Sequence, residues 1–180
     1  MNIPNFITIA RILLVPLTVW LLISSAYGAA FLVFVVAGAS DGVDGYIARR
    51  MKTQSDLGAY LDPLADKALL VSNYATLGMI KAIPAWLVLL VITRDVLIVG
   101  GVLLAWLVNR PLVMKPLFAS KLNTVVQISY VGFVLAVLAL SWQAELPLQL
   151  AALAVAITTM LSGGQYLYAW IKHMNTEATS

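Results

Sequence analysis

Four of the five aspartates between positions 41 and 66 are the residues of this sequence best suited to do chemistry. Asp41 and Asp44 are separated by three positions, and Asp62 and Asp66 by four. On helices, residues at these spacings share one face. The chain has only 8 acidic residues in 180 positions, so half of its carboxylates belong to this set. The four aspartates are therefore the candidate centre of the molecule.

Carboxylates that converge repel one another, so they require cations. The chain has no cysteine and one histidine, and carboxylates without such partners select hard divalent ions, Mg²⁺ or Mn²⁺. Two ions bridged by shared carboxylates are a common device for phosphoryl transfer. The pattern predicts two divalent ions held by Asp41, Asp44, Asp62 and Asp66. The alternative is that nearby Arg and Lys neutralise these carboxylates while the glycines only pack helices.

Small residues accompany the aspartates on the same helical faces. Gly45 and Ala48 follow Asp41 and Asp44 by four positions each, and Gly58 precedes Asp62 by four. They leave room for a ligand against the helix backbone. Arg49 lies next to Ala48 and offers a charged fork for a phosphate group.

The remaining sequence predicts a membrane scaffold. Hydrophobic residues make up 62% of the chain, charged residues 11%, and the mean hydropathy is +0.94, whereas soluble domains are about half apolar and a quarter charged. Its apolar runs are continuous and close to the ~20 residues of a membrane helix, which excludes the alternation of a barrel. We predict an all-α, polytopic membrane protein, a single domain over 1–180. Its six transmembrane helices are expected near residues 5–25, 29–50, 55–81, 84–108, 120–142 and 147–171.

The distribution of lysine and arginine predicts the orientation. Residues 49–52, 110–121 and Lys172 carry seven cations on one side, and Lys81 stands on the other. The aspartates and both termini are therefore expected on the cytoplasmic side of the inner membrane. The net charge of +3 is too small to indicate a nucleic-acid partner. Residues 12–23 could instead be the core of a cleaved signal peptide.

The motif from Asp41 to Asp66 also carries a resemblance. Asp-x-x-Asp-Gly-x-x-Ala-Arg, eight residues and Gly-x-x-x-Asp-x-x-x-Asp resembles the signature of the CDP-alcohol phosphotransferase (phosphatidyltransferase) family at every fixed position. The resemblance implies a six-helix, homodimeric membrane enzyme dependent on Mg²⁺ or Mn²⁺. Such enzymes transfer a phosphate-linked group from a CDP-alcohol to an acceptor hydroxyl and release CMP.

The resemblance also implies a role for each motif residue. Asp41, Asp44 and Asp62 would be metal ligands, and Asp66 would share metal contact or serve as general base. The residues that would hold the CDP moiety are Gly45, Ala48, Arg49 and Gly58, with Asn5 and Thr8 near the N-terminus.

Two further segments favour one branch of that family. Thr93-Arg94-Asp95-Val96 and the run from Lys115 to Gln127 resemble the CMP-forming cardiolipin synthases of mitochondrial type, and Thr158-Thr159 with Tyr166-x-Tyr168 does so more weakly. This resemblance implies CDP-diacylglycerol and phosphatidylglycerol as substrates. The residues expected at the acceptor phosphate are Arg94, Lys115, Ser120, Lys121 and Asn123, although Arg94 could instead simply pair with a carboxylate.

Charge supports phosphatidylglycerol as the acceptor. Glycerol-3-phosphate presents a phosphomonoester near charge −2, whereas phosphatidylglycerol presents a phosphodiester of charge −1. Asn123 stands where phosphatidylglycerophosphate synthases tend to have a second lysine, and its neutrality fits the less charged acceptor.

Two alternatives remain open at this stage. Phosphatidylglycerophosphate synthase would use glycerol-3-phosphate in the same chemistry. A small divalent-metal transporter would use the aspartates as its binding site, but transporters typically show paired repeats and a midplane site between broken helices. The aspartates here stand beside a basic turn, which favours a site open to one side.

Overall fold

Six α-helices make up the part of the chain that the structure, a computed structural model, describes. It describes the backbone of residues 3–51, 56–107 and 118–176, and the side chains of residues 12–40, 67–101, 118–168, 170 and 171. The helices are α1 (Ile3–Ile23), α2 (Tyr27–Met51), α3 (Asp56–Met79), α4 (Ala85–Leu107), α5 (Phe118–Ala139) and α6 (Glu145–Thr176). No strand occurs in these ranges, which confirms the predicted all-α class.

The helix bounds follow the predicted apolar segments to within a few residues, except at the end of α6. The sequence predicts an end near Ile171, and the helix continues to Thr176. Apolar composition marks the length that membrane burial requires, whereas backbone hydrogen bonding can continue through polar residues. The prediction of the helix was therefore right, but its end was placed too early.

One turn motif ends α1, α3 and α5. Ser25, Lys81 and Ser141 have positive φ angles of 58°, 60° and 50°. The next residue in each turn donates its amide to a carbonyl five positions back: Ala26 to Leu21 at 2.9 Å, Ala82 to Leu77 at 2.9 Å, and Trp142 to Val137 at 3.0 Å. This is the Schellman motif, in which a left-handed residue reverses the chain and satisfies the last carbonyls of the helix.

The chain divides into two compact units, and the prediction of a single domain stays a prediction. The first unit comprises Met1–Ile83 and Val131–Ala144. In it, α1 packs against both α2 and α3. Its core includes the fully buried Leu22, Tyr74 and Leu77.

The second unit comprises Pro84–Tyr130 and Glu145–Ser180, and in it α4 packs against α6. The buried faces of its helices change character along their length. On α4, Leu87 and Val91 are followed by Arg94 and Asp95; on α6, Val155 and Ala156 are followed by Thr159 and Ser162; on α5, Asn123 and Gln127 occupy the first half. The polar part of α5 is at its start, and that of α4 is near its middle.

Some of the described polar side chains are buried, and many large apolar side chains are exposed. Buried polar residues include Arg94, Asn123 and Gln127, whereas Trp20, Leu97 and Leu146 are more than half exposed. Exposed apolar surface on this scale is typical of contact with lipid or a partner. By length and composition, two described segments could cross a membrane: Phe118–Ala139 with mean hydropathy 1.8, and Glu145–Tyr168 with 1.6. All six helices are present, and two of them pass this test.

Candidate functional site

The aspartate motif lies on helical backbone in the first unit. Asp41, Asp44, Gly45, Ala48 and Arg49 are in α2; Gly58, Asp62 and Asp66 are in α3; Asn5 and Thr8 are in α1. Their side chains lie outside the described residues, as does all of Lys115, so their roles stay predictions. Among the described side chains, no three of His, Cys, Asp or Glu come together as a metal site. Because α1 packs on both α2 and α3, it is the helix that holds the two halves of the motif in one unit.

A buried arginine gathers polar groups from three helices in the second unit. Arg94 donates from Nη1 to Asp95 Oδ1 at 2.7 Å and from Nη2 to Ser120 Oγ at 2.8 Å. Nη2 also donates to Ser162 Oγ, and the ring of Tyr166 lies 5.8 Å from the guanidinium carbon. We call these five residues the Arg94 cluster. It links α4 to the start of α5 and to the middle of α6.

Burial makes the ion pair of this cluster sensitive to its surroundings. Arg94 and Asp95 are only 7% and 8% exposed. A charge removed from water is destabilising unless a partner and further hydrogen bonds compensate it. Asp95, the two serine hydroxyls and the tyrosine ring supply that compensation for Arg94. The prediction left open whether Arg94 contacts a phosphate or pairs with a carboxylate, and the pairing with Asp95 is present.

The pairing leaves part of the guanidinium available for chemistry. An arginine has five N–H donors, and the Nε–H of Arg94 has no partner among the described residues. Arginine is also the side chain best matched to the oxygens of a phosphate. Lys121, the residue after Ser120, is exposed. The Arg94 cluster could thus bind an anionic oxygen ligand, which is the role predicted for Arg94, Ser120 and Lys121.

A second, uncharged group lies between α5 and α6. Asn123 Oδ1 accepts hydrogen bonds from Thr158 Oγ1 and Thr159 Oγ1, both at 2.9 Å. Gln127 Nε2 donates to Thr159 Oγ1 at 3.4 Å. We call these four residues the Asn123 cluster. Asn123 is fully buried, so the described contacts of its side chain are with α6, and its effect on the acceptor stays a prediction.

Sequence reasoning did not single out Ser162. A signal for it was present, because Thr159, Ser162 and Tyr166 follow one another at helical spacing in an otherwise apolar stretch. Such spacing places polar side chains on one face of a helix. On α5, Ser120, Asn123 and Gln127 have the same spacing. Two matching polar stripes in neighbouring apolar helices could have predicted that the helices face each other there.

Comparison with known proteins extends over most of the chain. A family model described as CDP-alcohol phosphatidyltransferase matches residues 1–169. The human and the rat (Rattus norvegicus) proteins named cardiolipin synthase (CMP-forming) are each 34% identical over 183 aligned residues, covering 93% of this chain and 61% of theirs.

A relative whose printed name gives a different activity has a similar sequence identity to this chain. The rice (Oryza sativa subsp. japonica) protein named CDP-diacylglycerol–glycerol-3-phosphate 3-phosphatidyltransferase 1, chloroplastic, is 37% identical over 151 residues, covering 73% of this chain and 45% of its own length. The chain thus spans about three fifths or less of these curated relatives.

Proposed function

We propose that this chain, which belongs to the CDP-alcohol phosphatidyltransferase family as its resemblance predicted, is a CMP-forming cardiolipin synthase. In the proposed reaction the phosphatidyl group of CDP-diacylglycerol is transferred to a hydroxyl of phosphatidylglycerol. CMP is the other product. In this proposal the aspartate motif binds the donor CDP-diacylglycerol, and the Arg94 cluster binds the acceptor.

The observation that carries the proposal is the convergence of three distant segments. The segments that resemble cardiolipin synthases in sequence are 93–96, 115–127 and 158–168. Several of their polar side chains meet in the Arg94 and Asn123 clusters, whereas Lys121, Thr124 and Tyr168 are exposed. Residues that share one acceptor site are expected to converge in this way, whereas unrelated sequence likenesses have no reason to do so.

The reaction requires one proton transfer and one exchange of bonds at phosphorus. Asp66 would accept the proton of the attacking glycerol hydroxyl. The hydroxyl oxygen then forms a bond to the phosphorus of the phosphatidyl group, and the bond from that phosphorus to the phosphate oxygen of CMP breaks. Arg94 would hold the phosphodiester of phosphatidylglycerol and so orient its hydroxyl. Arg49 would bind the CDP phosphates.

The donor set of the motif fits Mg²⁺ or Mn²⁺. Asp41, Asp44, Asp62 and Asp66 offer only carboxylate oxygens, the ligands preferred by hard divalent ions. When bound, such ions would neutralise the phosphate charge of the nucleotide. The proposal includes two ions at these residues.

We also propose that the protein is a homodimer in the inner membrane and that each chain has six transmembrane spans. Exposed apolar side chains on α1, α2, α4, α5 and α6 support lipid contact for more helices than the two that pass the length and hydropathy test. The basic residues 49–52 support a cytoplasmic side for the motif. An impermeant thiol reagent applied to intact cells should label Lys81→Cys and spare Thr53→Cys, whereas labelling of Thr53→Cys from outside would overturn this orientation.

Phosphatidylglycerophosphate synthase is the second candidate function. The specific observation in its favour is the rice relative, whose printed name gives glycerol-3-phosphate as the acceptor. Its identity to this chain is 37%, against 34% for the human and rat cardiolipin synthases. Both candidates share the aspartate motif and differ in the acceptor.

A competition experiment separates the two candidates. The purified protein, reconstituted in vesicles with Mg²⁺ and labelled CDP-diacylglycerol, receives phosphatidylglycerol and glycerol-3-phosphate together, and mass spectrometry identifies the products. Cardiolipin and CMP are expected. Phosphatidylglycerophosphate as the dominant product would assign the second function, and absence of CMP would reject both.

Variants of the motif link the activity to its predicted site. Asp41→Asn, Asp44→Asn and Asp62→Asn should each abolish CMP release while the protein remains folded. Glu145→Gln is the matched control, because Glu145 is an exposed carboxylate in the first turn of α6. An asparagine variant with near-wild-type turnover at saturating Mg²⁺ would remove that aspartate from the metal site.

A further inference from the structure

The first helix carries a single charged residue, in register with its buried face. Arg11 is the one charged residue in the first 40 positions of the sequence. The described buried residues of α1 are Thr18, Leu21 and Leu22, and α1 continues unbroken through Pro16. Arg11 precedes Thr18 by seven positions, which is two helical turns on one face. Arg11 is therefore in register with the face of α1 that packs against α2 and α3.

The aspartate motif is in register with the buried faces of those two helices. Asp41 follows the buried Phe34 by seven positions on α2, and Asp66 precedes the fully buried Asn73 by seven positions on α3. The side chains of Arg11 and of the aspartates lie outside the described residues. The backbone register alone brings one cation and two carboxylates to faces that are buried within the first unit.

These three residues also lie at a similar level along the helices. Arg11 is 12 positions before the end of α1, and Asp41 is 14 positions after the start of α2, with three residues between the helices. At 1.5 Å per residue they are about 18 and 21 Å from this turn. Asp41 is ten positions before the end of α2, and Asp66 is ten positions after the start of α3, with four residues between. Arg11 is thus within about one helical turn of the level of both aspartates.

A charged residue on this face requires anionic partners. Thr18 satisfies its hydroxyl on its own helix, by donating to the carbonyls of Leu14 at 3.0 Å and Val15 at 2.9 Å. An arginine has five N–H donors and a permanent charge, which its own helix cannot satisfy in this way. Ionisable residues inside membrane helices are costly and usually mark a functional site. The aspartates at this level supply negative charge, but they are also the proposed ligands of the divalent ions.

The charges of the loaded site leave a place for one more cation. Two divalent ions balance the four aspartate carboxylates. The diphosphate of a CDP-alcohol adds one negative charge on each phosphate, and Arg49 would offset one of the two. One negative charge is left, in a buried setting where an unpaired charge is strongly destabilising. A single arginine at this level would neutralise it.

We propose that Arg11 binds the diphosphate of the CDP-alcohol donor. The inference rests on the donor half of the proposed function and is the same for either acceptor. The guanidinium group presents paired N–H donors that match phosphate oxygens. Thr8, which is predicted to hold the CDP moiety, is one turn earlier on α1. The two phosphates would then be shared by two arginines from different helices, Arg11 on α1 and Arg49 on α2.

Equilibrium binding to the reconstituted full chain tests this assignment without turnover. Cytidine and CDP each displace labelled CDP-diacylglycerol at saturating Mg²⁺ with no acceptor present, which gives a Kd for each. Arg11→Gln removes the charge, and Arg11→Lys keeps it. Lys81→Gln is the matched control, because it also removes one positive charge, from an exposed residue in the turn after α3.

Arg11→Gln should weaken CDP binding about tenfold, the scale of one charged hydrogen bond, and should change cytidine binding by less than about twofold. Arg11→Lys should recover most of the loss, and Lys81→Gln should leave both Kd values unchanged. KM for CDP-diacylglycerol should rise in Arg11→Gln while KM for the acceptor stays constant. Unchanged CDP binding, or equal weakening of cytidine and CDP, would overturn the proposal.

A measurement on the wild-type protein covers the case in which Arg11→Gln does not fold. CDP esterified on its terminal phosphate with a photoreactive group should label α1 around residues 8–15, and labelling confined to other helices would overturn the proposal. A loss of stability in Arg11→Gln with no selective loss of CDP affinity would make Arg11 a structural counter-ion of the aspartates, which also overturns it.

The outcomes for this inference and for the proposed function are distinguishable. If the wild-type protein makes phosphatidylglycerophosphate and no cardiolipin, the cardiolipin assignment fails, and a selective loss of CDP affinity in Arg11→Gln still supports the role of Arg11. If cardiolipin forms and Arg11→Gln binds CDP normally, the proposed function stands and this inference fails. A wild-type protein that binds no CDP would overturn both.

Discussion

The Arg94 cluster joins α4, α5 and α6, the Asn123 cluster joins α5 and α6, and the two differ in charge and in the space beside them. The Arg94 cluster holds a full charge pair, borders a cavity and has an N–H donor without a described partner. The Asn123 cluster is neutral and borders no described cavity; its central amide is fully enclosed, and the Nδ2 donor of that amide also has no partner among the described residues. The charge and the adjoining cavity indicate that the Arg94 cluster can bind a ligand. The Asn123 cluster instead holds α5 and α6 in the arrangement that the Arg94 cluster requires.

The largest effect is expected from Arg94→Leu. This variant leaves Asp95 without its arginine partner, and breaking a buried ion pair destabilises by about 3–5 kcal/mol. Cardiolipin synthesis should fall about a hundredfold or more, the scale of one lost charged hydrogen-bonding group at the substrate. Unfolding curves and initial rates measure the two effects.

The double variant Arg94→Leu/Asp95→Leu separates stability from ligand binding. Removing both charges of a buried pair is often neutral or stabilising, so the unfolding free energy should largely recover. The activity should not recover. If it does, Arg94 only neutralises Asp95, and the contrast between the clusters disappears.

Asn123→Lys should reduce cardiolipin formation and destabilise the protein. The new ammonium would enter a site with no exposed surface, where an unpaired charge costs several kcal/mol. Thr124→Lys is the control, because Thr124 is the exposed neighbour on α5. Initial rates with each acceptor are the readout, and an unchanged cardiolipin rate in Asn123→Lys would remove Asn123 from the explanation of acceptor choice.

A smaller effect is expected from removing one threonine hydroxyl of the Asn123 cluster. Thr159→Val deprives Asn123 Oδ1 of one donor and Gln127 of an acceptor, which should cost about 1–3 kcal/mol of unfolding free energy. KM for the acceptor should remain within about twofold if the cluster acts only between helices. A selective rise in that KM would show that the cluster touches the ligand.

The smallest effect lies outside both clusters and calibrates the unfolding assay. Ser141 has a positive φ of 50° at the end of α5, a conformation that costs a non-glycine residue roughly 1–2 kcal/mol. Ser141→Gly should remove this strain, but the glycine also gives the unfolded chain more conformational freedom. The net stabilisation should therefore be at most about 1 kcal/mol. Trp142→Gly, at a neighbouring position without positive φ, should give no such gain.

The sequence predicted the helices well because each depends on a local apolar run. It also predicted that the aspartate motif lies on two consecutive helices, α2 and α3, while the roles of its residues stay predictions. The Arg94 cluster was harder, because Arg94 and Ser162 are 68 positions apart, and their contact depends on how α4 and α6 are rotated about their axes. Arg94 could be recognised as an unusual charge in an apolar segment, but nothing local identified Ser162 as its partner.

The Schellman turns that end α1, α3 and α5 have a consequence for how the chain is made. In the proposed topology these turns face away from the cytoplasm, so they are the segments that must pass through the membrane during synthesis. They occupy residues 24–26, 80–84 and 140–144, and Lys81 is the one charged residue among them. Charged groups meet the highest barrier to insertion, whereas compact turns with internally bonded carbonyls meet a low one. Each of these turns can therefore cross with its two flanking helices as a single inserting hairpin, and the basic segments stay behind.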